Sequence, residues 1–253
     1  MDIKKLIDGR NQALYNKVRA SYKVNLKKSD DKCWGSYLST GTVIISHYKT
    51  NYPISSFTHE LLHIDTQLDG FKRIAAGVSL DKETHNNLNR ICSCLDNEFQ
   101  HHKMFDKFTG LGFASNEFYN DLDDQTSTYL KKVLGSPNQP LIYLCVDYMT
   151  LIAPGGKMSD IELAELKQAF ADYDGGKYRT NFEEIDNIIS DWKEDTKYDA
   201  EPYIVRFFKS INAGQTWITY DLFESISSEN FPSSGFFTDG SFSLKELAKA
   251  FGK

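Results

Sequence analysis

Cysteine and proline are scarce in this 253-residue chain, at four and six residues. No stretch approaches the ~18 uncharged apolar residues that a membrane span requires. The four cysteines are Cys33, Cys92, Cys94 and Cys145. Cys92 and Cys94 fall one residue apart in a predicted helix, where they point in different directions. They suit neither a disulfide nor a CxxC zinc knuckle. The N-terminal Met-Asp-Ile-Lys-Lys-Leu-Ile-Asp is charged and lacks the apolar core of a signal peptide, so a reducing, cytoplasmic setting is expected. Positive charge is also short. Lys plus Arg number 29 against 35 Asp plus Glu, a net charge of −6. A chain of that balance has no overall electrostatic footprint for phosphate backbones or anionic bilayers, so neither nucleic acid nor membrane is expected as a partner.

What is present is the profile of a globular protein, with 40% hydrophobic, 13% aromatic and 25% charged residues. The length suits one large domain or two small ones. Apolar residues recur at helical spacing over 3–24 (Ile3, Leu6, Ile7, Leu14, Val18). Cys33–Leu38 and Thr42–His47 then flank Ser39-Thr40-Gly41 as a β-hairpin would. Pro53 is expected to break the chain, with Ser55 or Ser56 capping a helix over 57–69. Further helices are predicted over 82–109, 116–134 and 140–152. Capping-box patterns stand at Ser159–Glu162, Asn181–Glu184 and Ser243–Glu246. Pro154-Gly155-Gly156 is the best boundary candidate. The expected class is α+β and mostly helical: a domain over 1–153 with a small sheet, and an all-helical region over 154–253.

The sharpest motif is His59-Glu60-Leu61-Leu62-His63. Histidines at i and i+4 stack on one helical face, so both imidazoles can reach one metal ion. Glu60 lies one residue round the helix, placed to take a proton from a water that the metal acidifies. Leu61 and Leu62 would face the core. Two histidines do not complete a site, and Glu98, on the next long helix, is the leading candidate for the third ligand. Asp69 is its rival, with His101 and His102 behind them.

A strand at Thr42–His47, a helix bearing HExxH and a later helix bearing Asn97-Glu98 together resemble the zincin metallopeptidases, and the gluzincin branch most closely. The match spans roughly residues 33–105. The resemblance implies that His59, His63 and Glu98 bind Zn²⁺, that Glu60 is the catalytic base and that the substrate is a peptide or protein. It also implies that an edge strand over Thr42–Ser46, with Val43, Ile44 and Ile45, holds that substrate by backbone hydrogen bonds. Thermolysin-like enzymes often carry an acid four residues after the glutamate ligand, where this chain has His102. Tyr119, Tyr129 and His102 are candidates to steady the oxyanion by position alone.

Three other readings compete. A zincin-like domain could be specialised for one protein partner, or merely bind it. Glu60-x-x-His63 and Glu98-x-x-His101 are also the Glu-x-x-His pairs of a di-iron carboxylate bundle, but the two further helical glutamates such a site needs are not evident. Stretches around Asp174-Gly175-Gly176 and Asp239-Gly240 look like halves of EF-hands. Both lack the acids of a calcium loop and read as helix–turn–helix units.

Overall fold

The computed structural model describes residues 1–118, 123–220, 235–239, 245, 246 and 249. The fold is mixed α+β and 58% helical, with eight α-helices and two three-stranded sheets among the described residues. The chain divides into two compact units. The first is built from Met1–Phe71, Gln100–Tyr129 and Ala153–Glu162, and the second from Lys72–Phe99, Leu130–Ile152 and Leu163–Lys253.

In the first unit, the expected helix over 3–24 is interrupted. A 3-10 turn at Ile3–Leu6 precedes α1 (Gln12–Ser21), and the chain then enters strand β1 (Lys23–Lys28). Asn11 fixes that break. Fully buried, it accepts from the Asp8 N–H and donates to the Leu6 carbonyl at 2.8 Å and to Thr58 Oγ1 at 2.9 Å. The hairpin forms as predicted, from β2 (Gly35–Ser39) and β3 (Thr42–His47), with Gly41 at φ 66° in the turn. The strand order is β1-β3-β2, with β1 parallel and β2 antiparallel to β3. The expectation of a substrate-pairing edge at Val43, Ile44 and Ile45 is therefore corrected. Strand β3 is the middle strand, its backbone is hydrogen-bonded on both sides, and Val43 and Ile45 are fully buried.

Helix α2 runs from Pro53 to Leu68. Pro53 does not break the chain but opens the helix as its first residue, where no backbone N–H is missed. Phe57, Leu61, Leu62 and Ile64 of α2 enter one core with Leu6, Val18, Trp34, Val43, Ile45, Met104 and Phe108.

Behind the motif, α2 also carries the buried Asp65. Its carboxylate pairs with Lys17 of α1 at 2.5 Å and with Lys107 of α3 (Lys82–Gly110) at 3.0 Å. Asp69 repeats the pattern, at 2.7 Å from Lys17 and 2.6 Å from Lys107. Two ammonium groups and two carboxylates thus clamp α1, α2 and the end of α3 together.

In the second unit, β4 (Ala76–Ser79), β5 (Thr216–Thr219) and β6 (Gly235–Phe237) form an antiparallel sheet. The later part of the chain is thus not all-helical. These strands are three or four residues long, and β4 pairs with β5 across well over a hundred residues, so no local pattern shows them. Close approach to β5 requires glycine at Gly77, where a Cβ would lie 2.8 Å from the Trp217 carbonyl oxygen. Helices α4 (Asp123–Leu134) and α6 (Asp160–Asp172) have residues in both units, and α5 (Leu141–Leu151), α7 (Arg179–Glu194) and α8 (Glu201–Ser210) lie wholly in the second. Trp192 of α7 is fully buried and donates to the Phe99 carbonyl at 2.8 Å. The Ser159 cap is formed, its Oγ accepting from the Glu162 N–H at 3.2 Å. Asn181 is no cap, because α7 begins two residues earlier and the Asn181 amide donates to the Ser210 carbonyl. The pattern at Ser243–Glu246 and the turn at Asp239-Gly240 extend outside the described residues. All four cysteines are free thiols. Burial pushes Cys92 up to about 12 and raises Cys94 and Cys145 further still, so these three thiols are unreactive at neutral pH. Among the described residues, no helix is long and apolar enough to cross a membrane.

The clamp makes stability depend on pH in a defined sense. Burial alone would raise the Asp69 carboxyl, but hydrogen bonds from Lys107 and Lys17 outweigh it and hold the group below its ordinary range. A depressed carboxyl stabilises the fold above its unfolded value of about 3.9, and that contribution is lost as pH falls through the folded value. Wild-type protein is expected to lose more stability between pH 6 and pH 3 than Asp69→Asn, measured by urea denaturation. Asp65→Ala leaves both lysines their Asp69 partner, so it should cost only about 1–2 kcal/mol at pH 7.

Candidate metal centre

The helical spacing of the motif does what its geometry requires. His59 and His63 stand one turn apart on α2, with ring centroids 4.9 Å apart and their Nε2 atoms 3.2 Å apart. Two imidazole nitrogens bound tetrahedrally to one zinc at about 2.05 Å would be separated by about 3.3 Å, so this pair already has a chelating spacing. A third imidazole joins them from α3. The His101 ring lies 5.0 Å from that of His59 and 5.2 Å from that of His63. One donor atom from each of the three histidines falls within 4.8 Å of the others, the group among the described residues able to hold a metal ion. His63 and His101 are buried, and His59 is partly exposed.

Of the other sequence candidates, Glu60 is buried at 5% exposure, one step round the helix from His59. Glu98 is also buried, but its carboxylate is not among the three clustered donors. Glu98 precedes His101 by three residues, which is nearly one helical turn on the same face of α3. Asp69 is committed to Lys17 and Lys107 and lies outside the group. His102, buried beside His101, is likewise outside it. Tyr129 is exposed, and Tyr119 lies outside the described residues.

Electrostatics favour the neutral, metal-ready form of the first histidine. Burial lowers the His59 pKa well below its ordinary value, the neighbouring His63 and His101 lower it further, and the Phe118 backbone opposes this weakly. At neutral pH its nitrogen lone pair is therefore available to a metal rather than occupied by a proton.

Three residues that the motif did not announce shape the surroundings. The Phe118 ring packs 4.6 Å from His59 and 5.4 Å from His101, closing one side of the group with an apolar wall. Its neighbour Glu117 accepts a hydrogen bond from Ser55, one turn before His59, and so ties this segment to α2. Gly155 packs against the wall from behind, and its φ of 85° is a left-handed conformation. A Cβ there would lie 2.9 Å from the Phe118 Cβ and 3.1 Å from the Ser115 carbonyl oxygen. In the sequence this glycine reads only as punctuation between segments. Its steric role depends on a fold that brings it back to residue 118.

Gly155→Ala is expected to cost roughly 1–3 kcal/mol, from strained backbone and overpacking against Phe118. Displacement of the wall should also raise the exposure of His59. Thermal denaturation reads the first effect, and the NMR titration of the His59 ring the second, as a pKa moved back toward 6.5.

Comparison with family models, with curated proteins and with solved structures gives no match for this chain. Its functional reading therefore rests on the geometry of the three histidines and on the sequence motif that supplies two of them.

Proposed function

We propose that the chain is a zinc-dependent hydrolase of zincin type that cleaves peptide bonds, with Glu60 as general base. The observation that carries this reading is the grouping of one donor atom each from His59, His63 and His101 within 4.8 Å of one another, two of them supplied by an HExxH helix. The donor set suits the ion, since three neutral imidazoles are a common ligand group for catalytic zinc and leave one position open. Bound there, zinc would act as a Lewis acid and lower the pKa of a water molecule.

The chain's own residues then have distinct tasks. His59, His63 and His101 bind and orient the ion, held by a helix whose Leu61 and Leu62 are locked in the core. Glu60 takes the proton of the attacking water and passes it to the leaving amine, so one carboxylate serves as base and then as acid. Phe118 keeps bulk water from one side and lowers the local dielectric, which strengthens each charge interaction within. The gluzincin resemblance makes Glu98 the third ligand, whereas the clustering of donors favours His101. Exchange of one for the other would keep the chemistry and change only the charge of the site.

The same histidines could serve a domain that acts on, or merely holds, a single protein partner. The packing of His63 of Glu60-x-x-His63 near His101 of Glu98-x-x-His101 also keeps a di-iron centre in view. Metal content and activity separate these readings. Wild-type protein should carry about one zinc per chain by elemental analysis, and His59→Ala, His63→Ala and His101→Ala should each lose it. Glu98→Ala should retain it, and its loss there would restore Glu98 as the ligand. Two irons per chain would replace the zinc assignment. Glu60→Gln should keep its zinc while peptide hydrolysis falls by about 10³-fold or more. Unchanged hydrolysis in that variant would rule out Glu60 as the base, and full zinc with no hydrolysis in wild type would favour the binding domain.

A further inference from the structure

A second feature of the first unit is independent of the metal centre. Residues 1–28 hold eight Lys or Arg against two Asp, on a chain whose net charge is −6. Two of those cations are engaged, Arg10 with Asp8 and Lys17 with Asp65 and Asp69. Three of the others, Lys4, Arg19 and Lys23, rim a cavity of about 700 Å³, and no acidic side chain lines it among the described residues. All three are exposed and form no ion pair among the described residues. The apolar lining comes from Ile3, Ile7, Tyr15, Tyr22 and Val24, each half-buried.

Strand β1 borders this cavity and is an outer strand of its sheet. The Lys23 N–H bonds inward to the Gly41 carbonyl at 3.0 Å, and that of Ser29 inward to His47 at 2.9 Å. Backbone groups alternate in direction along a strand, so those of Val24 and Leu26 point away from β3. No strand pairs with that side among the described residues.

From these observations we infer that the β1 edge and the adjoining cavity form a docking site for an extended acidic peptide segment of a partner protein. The segment would add as a strand beside β1, place an apolar side chain among the Ile and Tyr residues and set carboxylates against Lys4, Arg19 and Lys23. The exposed edge favours a polypeptide over other anions, because main-chain hydrogen bonding is the contribution that a lipid or a nucleic acid lacks. Lysines on an edge strand also deter self-pairing. That role needs neither the cavity nor the cations contributed by the 3-10 turn and α1.

The test is fluorescence anisotropy of labelled ten-residue peptides with the full chain. The probes are an alternating Glu/Leu peptide, its Lys/Leu counterpart and a Glu/Leu peptide N-methylated at alternate amides. The acidic peptide should bind at least tenfold more tightly than the basic one and weaken as salt rises. Triple charge reversal (K4E, R19E and K23E) should lower its affinity tenfold or more, and hydrogen exchange at Val24 and Leu26 should slow when it binds. Equal binding of the acidic and basic peptides would overturn the charge argument, and undiminished binding of the N-methylated peptide would overturn strand addition. Tighter binding of phosphatidylserine vesicles or of a single-stranded oligonucleotide would replace the peptide as occupant. Because the N-methylated arm alters only the ligand, the inference stays falsifiable even if the triple variant folds poorly.

Discussion

Burial of a helix rich in ionisable groups is the constraint on which the first unit depends. Helix α2 carries Glu60, His63 and Asp65 inside the protein and His59 at its margin. Each would be costly to bury without compensation, because a charge removed from water must be paired or neutralised. Asp65 is paired, through Lys17 and Lys107. His59 meets the same demand differently, by giving up the proton, as burial and the neighbouring His63 and His101 keep it neutral. One face of α2 is thus stabilised by ion pairs, and another carries an uncharged imidazole at His59.

The two faces are mechanically linked. Lys107 lies six residues beyond His101 on the same helix, so the pairs that bind α3 to Asp65 and Asp69 also set where His101 meets α2. The third imidazole arrives from a different helix without any sequence neighbour to guide it. Its position follows from the ion pairs and from the burial of Met104 and Phe108 on the same helix. Asn11 adds a further anchor at Thr58, the residue just before His59.

This arrangement explains which parts were legible in the sequence. The His59–His63 pair was readable because i,i+4 spacing is a property of a single helix, and Val43, Ile44 and Ile45 were readable as strand from β-branching. The distinction between Glu98 and His101 was not, because residues three apart share a helix face and only the docking of α3 decides which side chain joins the cluster. Strand β1 escaped notice because four of its six residues are lysine or asparagine, leaving Val24 and Leu26 as the whole of its period-two signal. Its presence turned β3 from an edge into a central strand, so one unreadable element changed the meaning of a readable one. The β4-β5-β6 sheet that contains Trp217 depends on pairings that no local window contains.

The apolar wall beside the histidines is the least economical part of the unit if it is judged as packing alone. Phe118 covers rings that would be better hydrated in water, and its place requires a left-handed Gly155 behind it. Local arrangements of that kind persist where the rest of the fold over-determines them. Here the surplus is visible in the ion-paired face of α2 and in the continuous core from Leu6 to Phe108. What the wall achieves is a shielded His59, kept neutral and already at chelating distance from His63. A metal ion meeting such a site would find that pair already in place, so little of its binding energy would be spent on assembling it. Preorganisation of this kind is what a metal site requires of the protein around it, and it is the physical reason to read the three histidines as a centre and not as incidental packing.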